Sequence, residues 1–438
     1  MKHTFKGGIH PYEGKELTMD KEVKVYLPKG DMVFPLSQHI GAPARPVVKK
    51  GDRVLAGQLI AEAGGFVSAN IHSSVSGTVK AIEQRLTPSG SRVNSIVIEN
   101  DKLYESVEYQ GSDKPVEQLT KEEILSSIRS AGIVGMGGAG FPTDVKLSPK
   151  EPDKIDTIIV NASECEPYLT SDYRRILDEA DKVIEGLRIA LAIFAGAKGI
   201  IAIEDNKPRA IKLLQEKLGD DKNISVNVLK TKYPEGAERQ LIYANTGRYI
   251  NSKMLPADVG CIVHNVDTVY AIYNAVREGK PLMERLVTVT GDAIKDPCNM
   301  LVKLGCSFDE LIEAAGGYKT NPAKIIAGGP MMGKAVYSTD IPTVKSSSAI
   351  LCMTKDEISQ YEESPCIRCG RCVSVCPGMV MPNKLSKLVE HGNMEEFVNA
   401  GGMECCECGC CSYVCPAKRH LTQTIAGARK LVLSRKKK

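Results

Sequence analysis

Apolar positions change their period along the chain, and each change marks a part of it. Residues 1–30 read as an extended arm, with one alternating stretch at Val23-Lys24-Val25-Tyr26-Leu27. From His39 to Val79, short alternating runs are broken at Gly51-Asp52 and Ser76-Gly77. With Gly77–Ile82 and Asn94–Glu99, these runs predict a small β-sandwich. Residues 101–116 are polar and aperiodic, as in a linker. Val116–Ser130 then places Leu119, Ile124 and Ile128 at helical spacing. Between residues 155 and 293, strand-like and helix-like segments alternate. The strands are Ile155–Val160, Gly199–Ile203, Ile224–Lys230 and Leu286–Thr290. The helices are Ser171–Ala195, Pro208–Leu218, Glu235–Ala244 and Asn265–Arg277. Such alternation predicts an α/β core with a mostly parallel sheet, covered on both faces, that binds ligands at the carboxyl ends of its strands. Further on, the helix Phe308–Ala315 stops at Gly316-Gly317, and Lys324–Ala327 reads as a strand. Ala417–Lys438 is a basic amphipathic helix ending in Arg435-Lys436-Lys437-Lys438. It suits a solvated tail or a contact with anionic lipid or an acidic partner.

Composition narrows the class. The 438 residues suit about three domains. With 57 basic and 53 acidic residues and no basic face, nucleic acid is excluded as a partner. No apolar run approaches the ~20 residues a membrane span needs, and the polar start Met1-Lys2-His3-Thr4 shows no signal peptide. The chain is expected to stay out of the bilayer.

The cysteines change the picture most. Two runs share one spacing: Cys366-x2-Cys369-x2-Cys372-x3-Cys376-Pro377 and Cys405-x2-Cys408-x2-Cys411-x3-Cys415-Pro416. Three thiolates on one tight loop hold three corners of a [4Fe–4S] cube, and the fourth cysteine of each run ligates the other cube. Cluster one takes Cys366, Cys369, Cys372 and Cys415; cluster two takes Cys405, Cys408, Cys411 and Cys376. Zinc prefers two pairs, which this three-plus-one pattern does not offer. Gly370 and Gly409 let the backbone approach the cubes. Of 15 cysteines, eight are absorbed this way, which implies a reducing compartment. Cys406 and Cys410 are off the spacing and read as non-ligands. Cys165, Cys261, Cys298, Cys306 and Cys352 read as small buried hydrophobes.

A second candidate is the loop Gly135-Met136-Gly137-Gly138-Ala139-Gly140-Phe141-Pro142. Gly135, Gly137 and Gly140 match G-x-G-x-x-G, but a helix precedes the loop and Pro142 follows it. An ordinary dinucleotide-binding turn is therefore excluded. The glycine density still suits close backbone approach to a phosphate or flat ring.

Several stretches resemble known families. The His39–Val79 region resembles biotinyl/lipoyl-type barrel-sandwich domains. Gly64-Gly65 stands where a carrier would have its lysine, so a structural or docking role is expected. The segment after Gly291 is similar to β-grasp domains of the soluble-ligand-binding type. Four motifs occur in order: the loop through Thr143 with Lys146; Asn161, Glu164, Glu166 and Pro167; Tyr233, Gly236 and Glu238; and Asn265-Val266-Asp267-Thr268. They resemble the flavin- and NADH-binding subunit of complex I and of related hydrogenases. The resemblance implies that Gly135, Gly137, Gly138, Gly140, Lys146, Asn161 and Asn265 hold FMN. It places Phe141, Glu166 and Glu238 near NADH, Glu164 as a hydrogen-bond acceptor beside them, and Tyr233 and Gly236 in the same site. Val134 and Met136 stand where that family has arginines, Ser163 replaces an aspartate, and Pro149 replaces a stacking ring. His264 reads as a core histidine.

With the start Phe5-Lys6-Gly7-Gly8-Ile9-His10-Pro11, the whole is similar to the RnfC family of Rnf electron-transport complexes. That likeness implies a peripheral subunit on the cytoplasmic side of an ion-translocating membrane complex. Its partners would be the other subunits, NADH directly and ferredoxin indirectly. Its cofactors would be FMN, NAD(H) and two [4Fe–4S] clusters, with the flavin converting two-electron to one-electron chemistry. The alternatives are a subunit of a soluble hydrogenase or bifurcating dehydrogenase, against which the sandwich argues, and a cluster scaffold without flavin. The expected division is 1–110 arm and sandwich, 111–285 flavin/NADH domain, 286–345 β-grasp domain, and 346–438 two-cluster ferredoxin-like α module with its tail.

Overall fold

The computed structural model describes residues 3–435. The N-terminal unit is a barrel-sandwich. A four-stranded sheet (Met32–Pro35, Arg92–Asn100, Gly77–Leu86, Arg53–Val54) shares one core with a three-stranded sheet (Arg45–Pro46, Leu59–Glu62, Ile71–His72). Phe34, Ile96 and Ile98 from one sheet and Ile60 and Ile71 from the other are fully or almost fully buried in it.

The central sheet has four strands, all parallel, in the order Ile224–Leu229, Lys198–Glu204, Thr157–Ala162, Cys261–Asn265. Its Val/Ile-rich strands suit burial on both faces. The helices Ser171–Leu191 and Val266–Arg277 pack against each other and against the strand Thr157–Ala162. The helix after the linker runs Lys121–Ser130 rather than from Val116, because the Thr120 side chain caps the Glu123 amide and Glu123 answers in a capping box.

One expected strand sits elsewhere. The segment containing Leu286–Thr290, Glu284–Thr290 in the structure, pairs antiparallel with Cys298–Lys303 and belongs to a second, mixed sheet. The fourth parallel strand is Cys261–Asn265. Its run is short and carries His264 and Asn265, so it merges by pattern into the helix that follows. The mixed sheet has six strands and recruits from outside 286–345. Lys24–Tyr26 of the arm pairs with Met300–Val302, and Ala349–Met353 pairs with Thr288–Thr290.

The C-terminal module is helical. Pro382–Glu390, Met394–Asn399 and Leu421–Arg435 surround Leu385, Phe397 and Ile425. The last helix buries Leu421, Ile425, Ala428 and Val432 on one face, so it closes this module rather than trailing from it. The terminal lysines 436–438 lie outside the described residues. Among the described residues, no helix is long and apolar enough to cross a membrane.

Candidate functional site

The parallel sheet reverses its winding beside Thr157–Ala162, since the next strand lies on one side and Cys261–Asn265 on the other. Such a reversal opens a crevice at the carboxyl ends of the strands. Asn161, one residue before the end of its strand, and Asn265, the last of its own, face each other in register. The other motifs gather on this pair. A Cβ on Gly137 would lie 3.0 Å from the Asn265 Cβ, so only glycine lets the loop pack here. Asn161 Nδ2 donates to the Gly236 carbonyl at 2.8 Å, and the Gly236 amide donates to Cys165 Sγ at 3.2 Å. Lys146 Nζ meets Glu238 Oε1 at 3.0 Å. The glycine loop closes on itself through Gly135 N donating to the Phe141 carbonyl at 2.8 Å. Gly138 at its tip has nothing within 4 Å of an added Cβ, so the backbone there is open to a ligand. Gly140 has φ +70° and packs on Gln38 of the sandwich, while Phe141 is 36 % exposed.

Beneath the loop lies a buried charge network that the sequence did not reveal. Asp267 bridges Arg175 Nε at 2.7 Å and Arg285 Nη1 at 2.6 Å, and Arg285 also reaches Met136. Asn265 Nδ2 donates to Asp172 Oδ2 at 2.6 Å. Burial first, then the neighbouring Glu164 and Asp267, push the Asp172 carboxyl up to about 8. Two guanidiniums, Arg175 and Arg285, share the single Asp267 carboxylate, and Arg285 lies against Met136 of the loop. Met136 is one of the two positions where the resembled family has an arginine. Arg285 lies outside the four motifs, which is why pattern reading passed over it.

The two glutamates of the second motif face different ways. Glu164, with φ +45°, turns its carboxylate inward to accept from the amides of Asp172 (2.7 Å) and Tyr173 (3.3 Å), at the start of a long helix. Glu166 Oε1 accepts from the amides of Met331 (2.6 Å) and Met332 (3.1 Å). A Cβ on Gly329 would strike the Glu166 side chain at 2.1 Å, so the Gly328–Gly333 loop approaches only because that residue is glycine. Burial pushes both carboxyls up. The whole turn is held by Lys15 of the arm. Its Nζ donates to the carbonyls of Glu164 (2.7 Å), Glu166 (3.2 Å) and Leu169 (2.6 Å). Nothing in the local sequence singles out Lys15. His264 is buried and neutral, its pKa lowered to about 3 by desolvation.

Tyr233 links this site to the cysteine module, since its Oη donates to the Cys408 carbonyl at 2.8 Å. Ile9, Tyr233, Cys408 and Cys410 form one buried cluster, with Cys165 and Met331 packed against it. Cys372 has the thiols of Cys415, Cys366 and Cys369 as electrostatic neighbours, and Cys411 has those of Cys405 and Cys376. These neighbourhoods cross between the two runs, as a shared-ligand pair of cubes requires. Cys408 instead lies beside Cys406 and Cys410. Among the described residues, no three His, Cys, Asp or Glu side chains are gathered as a formed metal site.

Fold and site define a flavin-domain electron-transfer protein of the complex I type. The family described as Nuo51 FMN-binding domain matches residues 128–274, the RnfC barrel sandwich hybrid domain matches 3–103, and the SLBB domain matches 286–335. The C-subunit of the proton-translocating ferredoxin:NAD(+) oxidoreductase complex of Clostridium ljungdahlii is 48% identical over 89% of this chain and 85% of that one. The Na(+)-translocating counterpart of Acetobacterium woodii is 44% identical over 100% and 99%. This chain belongs to that family, the RnfC subunits of ion-translocating oxidoreductase complexes. A solved NAD+-reducing [NiFe]-hydrogenase chain shares the fold, with TM-score 0.50 and 18% identity over 68% of this chain and 60% of that one.

Proposed function

We propose that this chain is the peripheral subunit that passes electrons between NAD(H), FMN and two [4Fe–4S] clusters in a ferredoxin:NAD oxidoreductase complex. In the whole complex this transfer is coupled to ion transport, on the cytoplasmic side of the membrane. The carrying observation is the convergence of four separate motifs on the Asn161–Asn265 pair at the sheet reversal. The residues suit a flavin phosphate: the glycine tip at Gly138 is open, and the Arg285 guanidinium contacts Met136 of the same loop. Gly135, Gly137, Gly140, Asn161 and Asn265 shape the pocket, with Lys146 beside it. Phe141, Glu166, Gly236 and Glu238 border the nicotinamide side, and Glu164 fixes the turn from within. FMN supplies the exchange between hydride and single-electron transfer.

The crossed thiol neighbourhoods support cluster one on Cys366, Cys369, Cys372 and Cys415, and bring Cys405, Cys411 and Cys376 together for cluster two, to which the spacing adds Cys408. Tyr233 and Cys165 fill the space between the flavin site and the Cys408 loop, so cluster two is the flavin-side cluster. The test is direct. Anaerobically purified protein should release FMN on denaturation, hold about eight irons, and lose its flavin colour on adding NADH. Brown protein with full iron but no flavin would overturn the reading.

A further inference from the structure

A cavity of about 290 Å³ has Met136 of the glycine loop in its wall. The sandwich closes it at Ala56 and Ser74, the linker at Tyr109, and the mixed sheet at Leu301. Among the described residues, its lining includes none of those proposed above for FMN, NAD(H) or the clusters. One face of the helix Val266–Arg277 forms its polar side. Asp267, Tyr270, Ala271 and Asn274 recur there at the spacing that stacks side chains on one face. Arg175, 7 % exposed, lies across this face. Its Nε donates to Asp267 Oδ1 at 2.7 Å, and its guanidinium carbon stands 3.9 Å from the centre of the Tyr270 ring.

Two polar groups in this wall are left over. Among the described residues, the terminal nitrogens of Arg175, Nη1 and Nη2, have no hydrogen bond. Asn274 Oδ1 is likewise buried without a partner. The other charges are matched. Arg285 gives its Nε to the Ser347 carbonyl at 3.0 Å and its Nη1 to Asp267, Lys303 pairs with Glu284, and Lys280 pairs with Glu278. Buried polar groups without partners are costly, so a cavity that holds two of them is built for a ligand that supplies the partners. The planar fork of Nη1 and Nη2 fits the two oxygens of a carboxylate. Ile133, Met136 and Leu282 are buried and give the cavity an apolar wall suited to a ring. Asn274 lies about 6 Å further along the helix than Tyr270. Its amide oxygen there is placed to accept from a hydroxyl at the far end of such a ring.

We propose that this cavity is a binding site for a small aromatic acid bearing a ring hydroxyl, and that its occupation tightens the hold of the glycine loop on FMN. The carboxylate takes the free edge of Arg175, the ring lies against Met136, and the hydroxyl donates to Asn274. No bond forms or breaks. The site stands on the cavity alone, and the coupling rests on the flavin reading above. Two links carry the coupling. Met136 belongs to both the cavity wall and the loop, and its amide donates to Thr268 Oγ1 at 3.1 Å. Asp267 is shared by Arg175 and Arg285, and Arg285 contacts Met136. A ligand packed on Met136 and Arg175 restrains the loop before FMN arrives. By reciprocity, bound FMN strengthens the binding of the acid by the same factor.

The probe is para-hydroxybenzoate, measured by equilibrium dialysis against the full chain purified with its cofactors. Saturable binding at one site per chain is expected. Para-hydroxybenzamide, which lacks the charge, and inorganic phosphate, which lacks the ring, should each bind about tenfold more weakly or worse. Ala271 is 4 % exposed in the cavity wall, and Ala271→Leu fills the space and should abolish binding. Asn274→Leu removes the unpaired oxygen. It should weaken binding about tenfold without lowering the unfolding temperature, whereas an asparagine with a merely structural role would lower it. In FMN-depleted protein, saturating para-hydroxybenzoate should tighten FMN binding about fivefold, and should have no effect in Ala271→Leu. No saturable binding to folded wild-type protein, or binding unchanged in both variants, overturns the site and leaves the flavin reading standing. Binding of the acid with unchanged FMN affinity overturns the coupling. Protein that binds the acid but takes up no FMN overturns the flavin reading and the coupling with it, and supports the site.

Discussion

Lys15 is the sharpest test of how the site is held. It sits in a short turn of the arm, 6 % exposed, and its ammonium serves three carbonyls of the Glu164–Leu169 turn. Burial lowers its pKa, and the Glu164 carboxylate is the largest influence opposing that. In Lys15→Met the stem volume is kept and the charge lost. Each bond from a charged donor is worth about 1.5–3 kcal/mol, but the three share one ammonium and are not additive. Relief of the buried ammonium's desolvation opposes them. Removing one partner of a buried charged set typically costs about 3–5 kcal/mol, and we expect that loss. With no tryptophan in the chain, denaturant unfolding is followed by circular dichroism and tyrosine emission. FMN titration on the folded variant should show at least tenfold weaker binding, because the turn carries Asn161 to Glu166 into the site. A stability loss under about 1 kcal/mol with unchanged FMN affinity would show that the arm merely lies against the turn.

Gly138→Val should abolish FMN binding while leaving the fold and cluster iron intact, since its Cβ enters open space; Gly140→Val, at φ +70°, should also lose about 1–2 kcal/mol of stability, read by thermal unfolding. Cys406→Ser and Cys410→Ser should each keep the full iron content, and loss of half the iron in either would put the ligand register wrong. Cys369→Ser should disable cluster one, yet NADH should still bleach FMN; loss of that bleaching in protein that retains FMN would reverse the proposed order of sites. His72 is buried, and desolvation lowers its pKa from 6.5 to about 3. Below pH 6.5 the unfolded chain takes up a proton that the folded chain refuses, so its contribution to stability is lost as pH falls. The stability difference between His72→Leu and wild type should therefore move by about 2 kcal/mol in favour of the variant between pH 7.5 and 5, measured by urea unfolding at each pH.

Much of this site was legible because its motifs end regular elements. Asn161 stands next to last in its strand, Asn265 caps a helix through the Asp267 amide, and the glycines mark a loop that no packed side chain would allow. The cysteine spacing was legible because local loop geometry sets it. What escaped was long-range. Lys15 acts on residues about 150 positions away, and Arg285 reaches under a loop from another sheet. The strand Cys261–Asn265 was hidden because His264 and Asn265 break its apolar run. The inward turn of Glu164 depends on a positive φ and on two helix amides, and residue type reports neither.

The mixed sheet has a consequence for synthesis. Its edge strand Lys24–Tyr26 pairs with Met300–Val302, so the arm leaves the ribosome long before its partner exists. At about 5–20 residues per second, that wait is roughly 15–55 s. For most of it, the sandwich domain, whose last strand ends at Asn100, can already fold while Lys24–Tyr26 has no partner strand. The strand is short, flanked by lysines and mostly exposed even when paired, and such an edge resists pairing with other chains. The nascent strand is thus suited to waiting in water, while the flavin turn can gain its Lys15 clasp once Glu164 to Leu169 have emerged, well before the arm finds its sheet.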